Sequence, residues 1–391
     1  MSIEITDNQG LYDLCQEMQQ QEYLAMDTEF IRERTYYPVL ALIQISWKEV
    51  DSILIDPLGI DDWEPFHDVL KNPEILKIFH AGRQDLEIFY HQMGEIPANL
   101  FDTQIAASMC GYGDQIGYGA LVAKLLGVQL AKGSSYTNWL QRPLTDAQMR
   151  YARDDVLYLP DVYDKLMARA TSKKRVQWVR EEMKVQLHEG LFDPDPMDLW
   201  RRVKKAKSIK DRDTSVLQEL TIWRDGVARR INKPVRFILT DEAMVELCKV
   251  DKLTMESLKS RRGLQSGVID RYGADILERH ARGRAVPRAE WPKLRDNNQR
   301  PPSEKSEALA DLAWLLIKEI ATRAHMAPPN LIAKRDLPYF IEAYLRGKDL
   351  SKFSISSGWR KEMVSDILIK LIEGEIVIRV QDQKIIWQEQ I

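Results

Sequence analysis

Leu24-Ala25-Met26-Asp27-Thr28-Glu29-Phe30 is the stretch on which the reading of this 391-residue chain turns. Its apolar residues and its length predict a β-strand. Residues two apart on a strand point to the same side of the sheet. Asp27 and Glu29 therefore present paired carboxylates, in an element that disfavours acidic residues. Two like charges at short range need a compensating cation, and hard oxygen ligands suit Mg²⁺ or Mn²⁺. A lone Asp-x-Glu on a wet strand face is usually innocent, so its meaning depends on the rest of the chain.

Two further elements matter. In Phe79-His80-Ala81-Gly82-Arg83-Gln84-Asp85 an acid falls in the first turn of a helix directly after an apolar strand. Taken alone, that carboxylate would simply complement the helix dipole. In Tyr151-Ala152-Arg153-Asp154-Asp155 the tyrosine and Asp155 are four apart and share a helix face. Asp154, three from Tyr151, satisfies the same geometry, and spacing leaves both open.

Working outward, Leu40–Trp47, Ile53–Leu58 and Leu76–His80 also read as short strands. Asp62–Leu70, Gln84–Met93, Thr103–Cys110 and Ala120–Leu126 carry apolar residues at helical spacing. This alternation implies a mixed sheet covered by helices. Thr145–Arg169 reads as one long helix capped by Thr145, which Pro160 should bend or interrupt. Asp102 is expected to cap the helix that follows it.

Beyond residue 171 the strand signal almost vanishes. Arg175–Leu187 and Met197–Lys205 read as connecting helices. Residues 212–284 and 303–374 then look like two copies of one helical unit: Trp223 answers Trp314, and Asp275-Ile276-Leu277 answers Asp366-Ile367-Leu368 at an offset of 91 residues. Gly283 and Gly374 share that offset and suit helix C-caps. Between the copies, 285–302 is a Pro-rich linker, and 375–391 alternates apolar and polar residues on both sides of a turn, as a hairpin would.

Composition narrows the function. Three distant cysteines, Cys15, Cys110 and Cys248, exclude a disulfide framework and a zinc cluster and fit a reducing cytoplasm. The apolar runs are too short for a membrane span, and the first residues show no secretory signal. Residues 1–170 carry 13 Lys and Arg against 26 Asp and Glu, whereas residues 171–300 carry 30 against 20. An acidic site beside a basic surface for a polyanion accounts for that asymmetry, as would uneven solvated charge.

In order, the three acidic elements resemble the DEDDy branch of the DnaQ-like 3′→5′ exonucleases, whose pattern is Asp-x-Glu, then Asp, then Tyr-x₃-Asp. The helical copies look like HRDC domains, which are nucleic-acid-binding modules. Together they are similar to the bacterial ribonuclease D family over about 370 residues. The stretch 132–144 shares the resemblance, although Thr137-Asn138-Trp139 stands where Ser-Asp-Trp is expected. The implied fold is an α/β ribonuclease-H-like exonuclease domain, a mixed sheet flanked by helices (1–170). A helical connector (171–211) and two all-α HRDC-like domains (212–284 and 303–374) follow.

The resemblance assigns Asp27, Glu29, Asp85, Tyr151 and Asp155 as catalytic, choosing Asp155 over Asp154. Asp27 would bridge two divalent ions, Mg²⁺ or Mn²⁺. Glu29 and Asp155 would complete the site of the attacking water, Asp85 would support the second ion, and Tyr151 would orient the water. The implied reaction removes nucleotides from RNA 3′ ends as 5′-monophosphates, with tRNA precursors as leading substrate and no obligate protein partner. A DNA 3′→5′ exonuclease or proofreading module is the alternative, and a non-catalytic RNA-binding protein a further one. Candidate substrate contacts are His80, Tyr136, Trp139, Arg229, Arg230, Arg261 and Arg262. Each has a structural competitor: a bonded strand-end histidine, core aromatics, and arginines that solubilise the helices or dock them on the acidic domain.

Overall fold

The computed structural model describes residues 3–48, 50–131, 137–261, 264, 266–293 and 301–390. Six strands, β1 (Ile3–Ile5), β2 (Tyr23–Ile31), β3 (Val39–Trp47), β4 (Val50–Ile55), β5 (Leu76–Phe79) and β6 (Leu100–Asp102), form one sheet in the order β1-β4-β3-β2-β5-β6. β3 runs antiparallel to both its neighbours, and the other pairings are parallel. The expected mixed sheet is present, with β2 in its interior. β1 and β6, three residues each, lie below the length at which a strand pattern can be read.

The helices of this part are α1 (Asn8–Met18), α2 (Glu64–Lys71), α3 (Arg83–Met93), α4 (Thr103–Cys110), α5 (Tyr118–Leu126), α6 (Asp146–Leu157), α7 (Leu159–Ser172) and α8 (Val176–Gln186). The helix read over Thr145–Arg169 is interrupted rather than bent: the chain breaks at Tyr158, and Pro160 sits in the first turn of α7. The expected strand Ile53–Leu58 stops at Ile55, where Asp56 caps a 3₁₀ turn over Pro57–Gly59. Met197–Lys205 is not an α-helix either: Pro196–Arg202 is a 3₁₀ segment.

The first helical region contains α9 (Thr214–Arg230), α10 (Val235–Ile238), α11 (Asp241–Cys248), α12 (Met255–Lys259) and α13 (Ser266–Ala285). It has its own core, with Trp200, Leu220, Trp223, Met244, Tyr272 and Ile276 in one cluster. The second contains α14 (Glu304–Ala324), α15 (Pro328–Leu331), α16 (Leu337–Leu345), α17 (Gly358–Arg360) and α18 (Asp366–Glu373). Its apolar residues instead join the cluster that fills the sheet domain. Gly374 ends α18 with φ +83°, as a C-cap glycine does. Gly283 is not a cap: it lies inside α13, where a Cβ would come within 2.5 Å of the Val216 Cα. A close helix crossing demands that glycine. The chain ends in a hairpin of β7 (Ile376–Gln381) and β8 (Lys384–Glu389), joined by Asp382 and Gln383 at positive φ.

The three cysteines are buried and free. Among the described residues, no helix is long and apolar enough to cross a membrane.

Candidate active site

Asp27 and Glu29 lie on the same face of β2, opposite Gln44 and Leu42 of β3. A register shift between Glu29 and Phe30 interrupts the ladder there, a distortion of the kind that re-aims side chains. α6 crosses this face. A full capping box between Thr145 and Gln148 starts the helix, and Ala152 and Val156 pack it down, fully buried. Tyr151 and Asp155 are four positions apart, so both face the strand carboxylates. Carboxylate oxygens of Asp27, Glu29 and Asp155 come within 4.8 Å of one another. Asp155, not Asp154, joins the strand pair.

Asp85 arrives from a different direction. Gly82 begins α3, and a Cβ there would lie 2.4 Å from the Phe79 Cβ, so only glycine permits this sharp strand-to-helix turn. Asp102 holds the turn by accepting from the Ala81 and Gly82 N–H groups, while it also caps α4 as expected. Asp85 is 6% exposed and accepts a 2.5 Å hydrogen bond from the Thr28 hydroxyl.

Burial raises all four acids, and neighbouring carboxylates add to it. Asp27 is pushed well above the carboxylate range by burial and by Asp85, Asp155 and Glu29. Glu29 is pushed up to about 8 by burial, then by Asp155 and Asp85. Asp155 reaches about 7 through burial and Asp154, against a lowering hydrogen bond from the Tyr151 hydroxyl. Asp85 reaches about 6 through burial, against the lowering bond from Thr28. Four acids crowded at such cost suit a divalent cation, which would restore their ionised forms.

The other candidates fare unevenly. Both ring nitrogens of His80 are engaged, Nδ1 with Thr103 Oγ1 at 2.9 Å and Nε2 with the Ile116 carbonyl at 3.0 Å. It is a bonded structural histidine rather than a free substrate contact. Trp139 is 2% exposed and packs with Ala41, Leu42, Leu54 and Ala152, so its ring is not open for base stacking. Arg229 bonds Asp225 at 2.7 Å and Asp193 at 3.4 Å and lies over the Tyr36 ring, anchoring the helical region to the sheet domain. Arg230 is exposed and Arg261 partly so. Tyr136 and Arg262 lie outside the described residues.

Sequence reasoning passed over two side chains. Thr28, between the paired acids, holds Asp85. Gln44, fully buried opposite Asp27, leaves both amide atoms without a hydrogen-bond partner. The available signal was a polar residue inside the apolar run Leu42-Ile43-Gln44-Ile45.

Comparison with known proteins agrees with this architecture. Residues 2–170 match the family described as 3′-5′ exonuclease, and residues 213–279 match the HRDC domain. Ribonuclease D of Jannaschia sp. is 36% identical over 97% of this chain and 98% of its own length. The chain belongs to the ribonuclease D family. Ribonuclease D of Bartonella henselae is likewise 36% identical, over 97% of this chain and 92% of its own length. The crystal structure of Escherichia coli RNase D, described as an exoribonuclease involved in structured RNA processing, superposes with a TM-score of 0.83 at 31% identity. That match covers 96% of this chain and 99% of the other. As a ribonuclease D, the protein is a 3′→5′ exoribonuclease, a hydrolase whose polymer partner is RNA.

Proposed function

We propose that this ribonuclease D removes nucleotides from RNA 3′ ends as 5′-monophosphates, acting on structured RNAs with tRNA precursors foremost. The observation that carries the reading is the meeting of Asp27, Glu29 and Asp155 on one sheet face. Asp85 and Tyr151 complete the set. In this reading two divalent cations, Mg²⁺ or Mn²⁺, are held by the four carboxylates. When bound, they supply a nucleophile at neutral pH and relieve charge on the leaving oxygen. Tyr151 donates to Asp155 and so fixes that carboxylate, while its own oxygen can accept from the attacking water. Thr28 fixes Asp85 in the same way. Residues 303–374 would act as a second HRDC-like unit, after a connector at 171–211 and a linker at 285–302. Arg230, Arg261 and Arg262 would add RNA contacts on the first.

Labelled tRNA precursor and single-stranded DNA, each digested with Mg²⁺ and with chelator, test the reading. Shortening of the precursor from its 3′ end, lost on chelation, is expected. Asp27→Asn should abolish hydrolysis and leave RNA affinity similar. Tyr151→Phe should slow turnover less, since it removes a hydrogen bond and no ligand. Preference for DNA, or full activity after chelation, would overturn it.

A further inference from the structure

A cavity of about 630 Å³ lies between the sheet domain and the first helical region. It opens at the end of the strand that carries the paired acids. Arg32, three residues beyond Glu29, lines it, which places it about 10 Å further along the chain direction. Arg83, in the same helical turn as Asp85, lines it too. The opposite wall is built from the connector and from the first helical region, through Arg202 and Arg236.

The charges in this cleft do not cancel. Arg32 is paired with Glu87, Arg224 with Asp241, and Arg229 with Asp225. Among the described residues, Arg83, Arg202 and Arg236 form no ion pair, and they face one unpaired acid, Glu33. Three exposed guanidinium groups from distant parts of the chain thus converge on one concave surface. Arg236 also lies over the ring of its neighbour Phe237, which is 51% exposed. A cationic groove with an open aromatic ring beside one of its arginines is the chemistry that tracks a single strand, charge for phosphate and ring for base.

We propose that this cleft holds the phosphodiester backbone of the RNA strand just upstream of the nucleotide being removed, with Arg83, Arg202 and Arg236 as its phosphate contacts. This rests on the exoribonuclease reading above. The cleft would keep the strand registered on the acidic site, whose own charge repels it. The first helical region would therefore contribute through its inner wall as well as its outer face.

The test uses the full chain with Mg²⁺, the double variant Arg202→Ala/Arg236→Ala, and two substrates: a long single-stranded oligoadenylate and diadenylate. Diadenylate has no upstream backbone to fill the cleft. For the long strand, KM should rise about tenfold with kcat unchanged. The slope of log KM against log salt should fall by about 1.4, for two lost phosphate contacts on a single strand. For diadenylate, kcat/KM should stay within about twofold of the unsubstituted protein. A long-strand KM equal to that of the unsubstituted protein would overturn the proposal, and so would an equal loss on both substrates. If the unsubstituted chain degrades neither RNA, the exoribonuclease reading fails instead, and the two failures are told apart.

Discussion

The two helical regions share a sequence pattern at a fixed offset, yet they are held in opposite ways. The first closes its own core and meets the sheet domain through polar contacts. Asn232 accepts from the Tyr36 and Tyr37 N–H groups, and the Tyr36 hydroxyl donates to Asp225 at 2.7 Å. Among the described residues, the second has no separate core. Glu182 of α8, 3% exposed, accepts from Arg360 and from Trp359 Nε1, and Trp178 stacks on Trp359 at 4.8 Å. Arg175 bridges the carbonyls of Met109 and Ala324. A repeated sequence unit can thus become a docked module or a built-in wall, and the surface opposite each copy decides which.

The largest expected effect comes from cutting the wall. Glu182→Ala leaves the Arg360 guanidinium, 17% exposed and otherwise held by the Asn330 carbonyl, without its carboxylate, which should cost about 3 kcal/mol and destabilise the sheet domain together with the second region. Denaturant unfolding followed at the tryptophans would show it. Two separate transitions for these parts, or an unchanged midpoint, would break the comparison.

Next is Gly283→Ala, whose Cβ is driven into the Val216 backbone. A cost of about 1–3 kcal/mol is expected, confined to the first region. Hydrogen exchange should rise in α9 and α13 while diadenylate hydrolysis continues. Loss of protection across the sheet would count against a separate core.

A smaller effect follows from the acids, whose pKa values in the fold are raised. The fold favours their protonated forms, so their contribution to stability is fully present below the unfolded carboxylate pKa near ~4 and is lost as pH rises. For Asp85, Asp155 and Glu29 that loss extends through about 6, 7 and 8 respectively. Without metal, the transition of the sheet domain and second region should therefore weaken between about pH 4 and pH 8. Asp27→Asn should strengthen it by about 1–2 kcal/mol at neutral pH, because Asp27 ionises freely only in the unfolded chain and asparagine removes that advantage. Added Mg²⁺ should reverse the weakening. Melting curves at two pH values, with chelator and with Mg²⁺, check this; the first region's transition should not respond.

Smallest is Tyr36→Phe, which removes one bond of the polar docking contact. It should cost about 1 kcal/mol and leave both cores intact, as thermal unfolding would register.

Much of this architecture was legible because two periodicities are strict. Period two on β2 put Asp27 beside Glu29, and a spacing of four on α6 put Tyr151 beside Asp155. The cores of β2, β3 and β5 were continuous apolar runs, and the Thr145 cap marked the start of α6. What stayed hidden depends on distant partners. Gly283 looks like a C-cap until Val216 is placed against it. Arg229 looks like a phosphate contact until Asp225, Asp193 and Tyr36 surround it. Trp139 offers the same aromatic ring to a base or to a core, and only the position of Leu54 and Ala152 settles the choice. Spacing alone could not separate Asp155 from Asp154, since both fit one helical face.

The shared core also bears on how the protein is made. Hydrophobic partners of the sheet domain extend to Leu368, and Glu182 waits for a residue 178 positions later. On the ribosome, where early segments emerge and collapse first, the sheet cannot finish packing until the second helical region has been synthesised. The nascent chain therefore leaves apolar surface of the sheet domain uncovered while the first helical region is being made, until the second emerges.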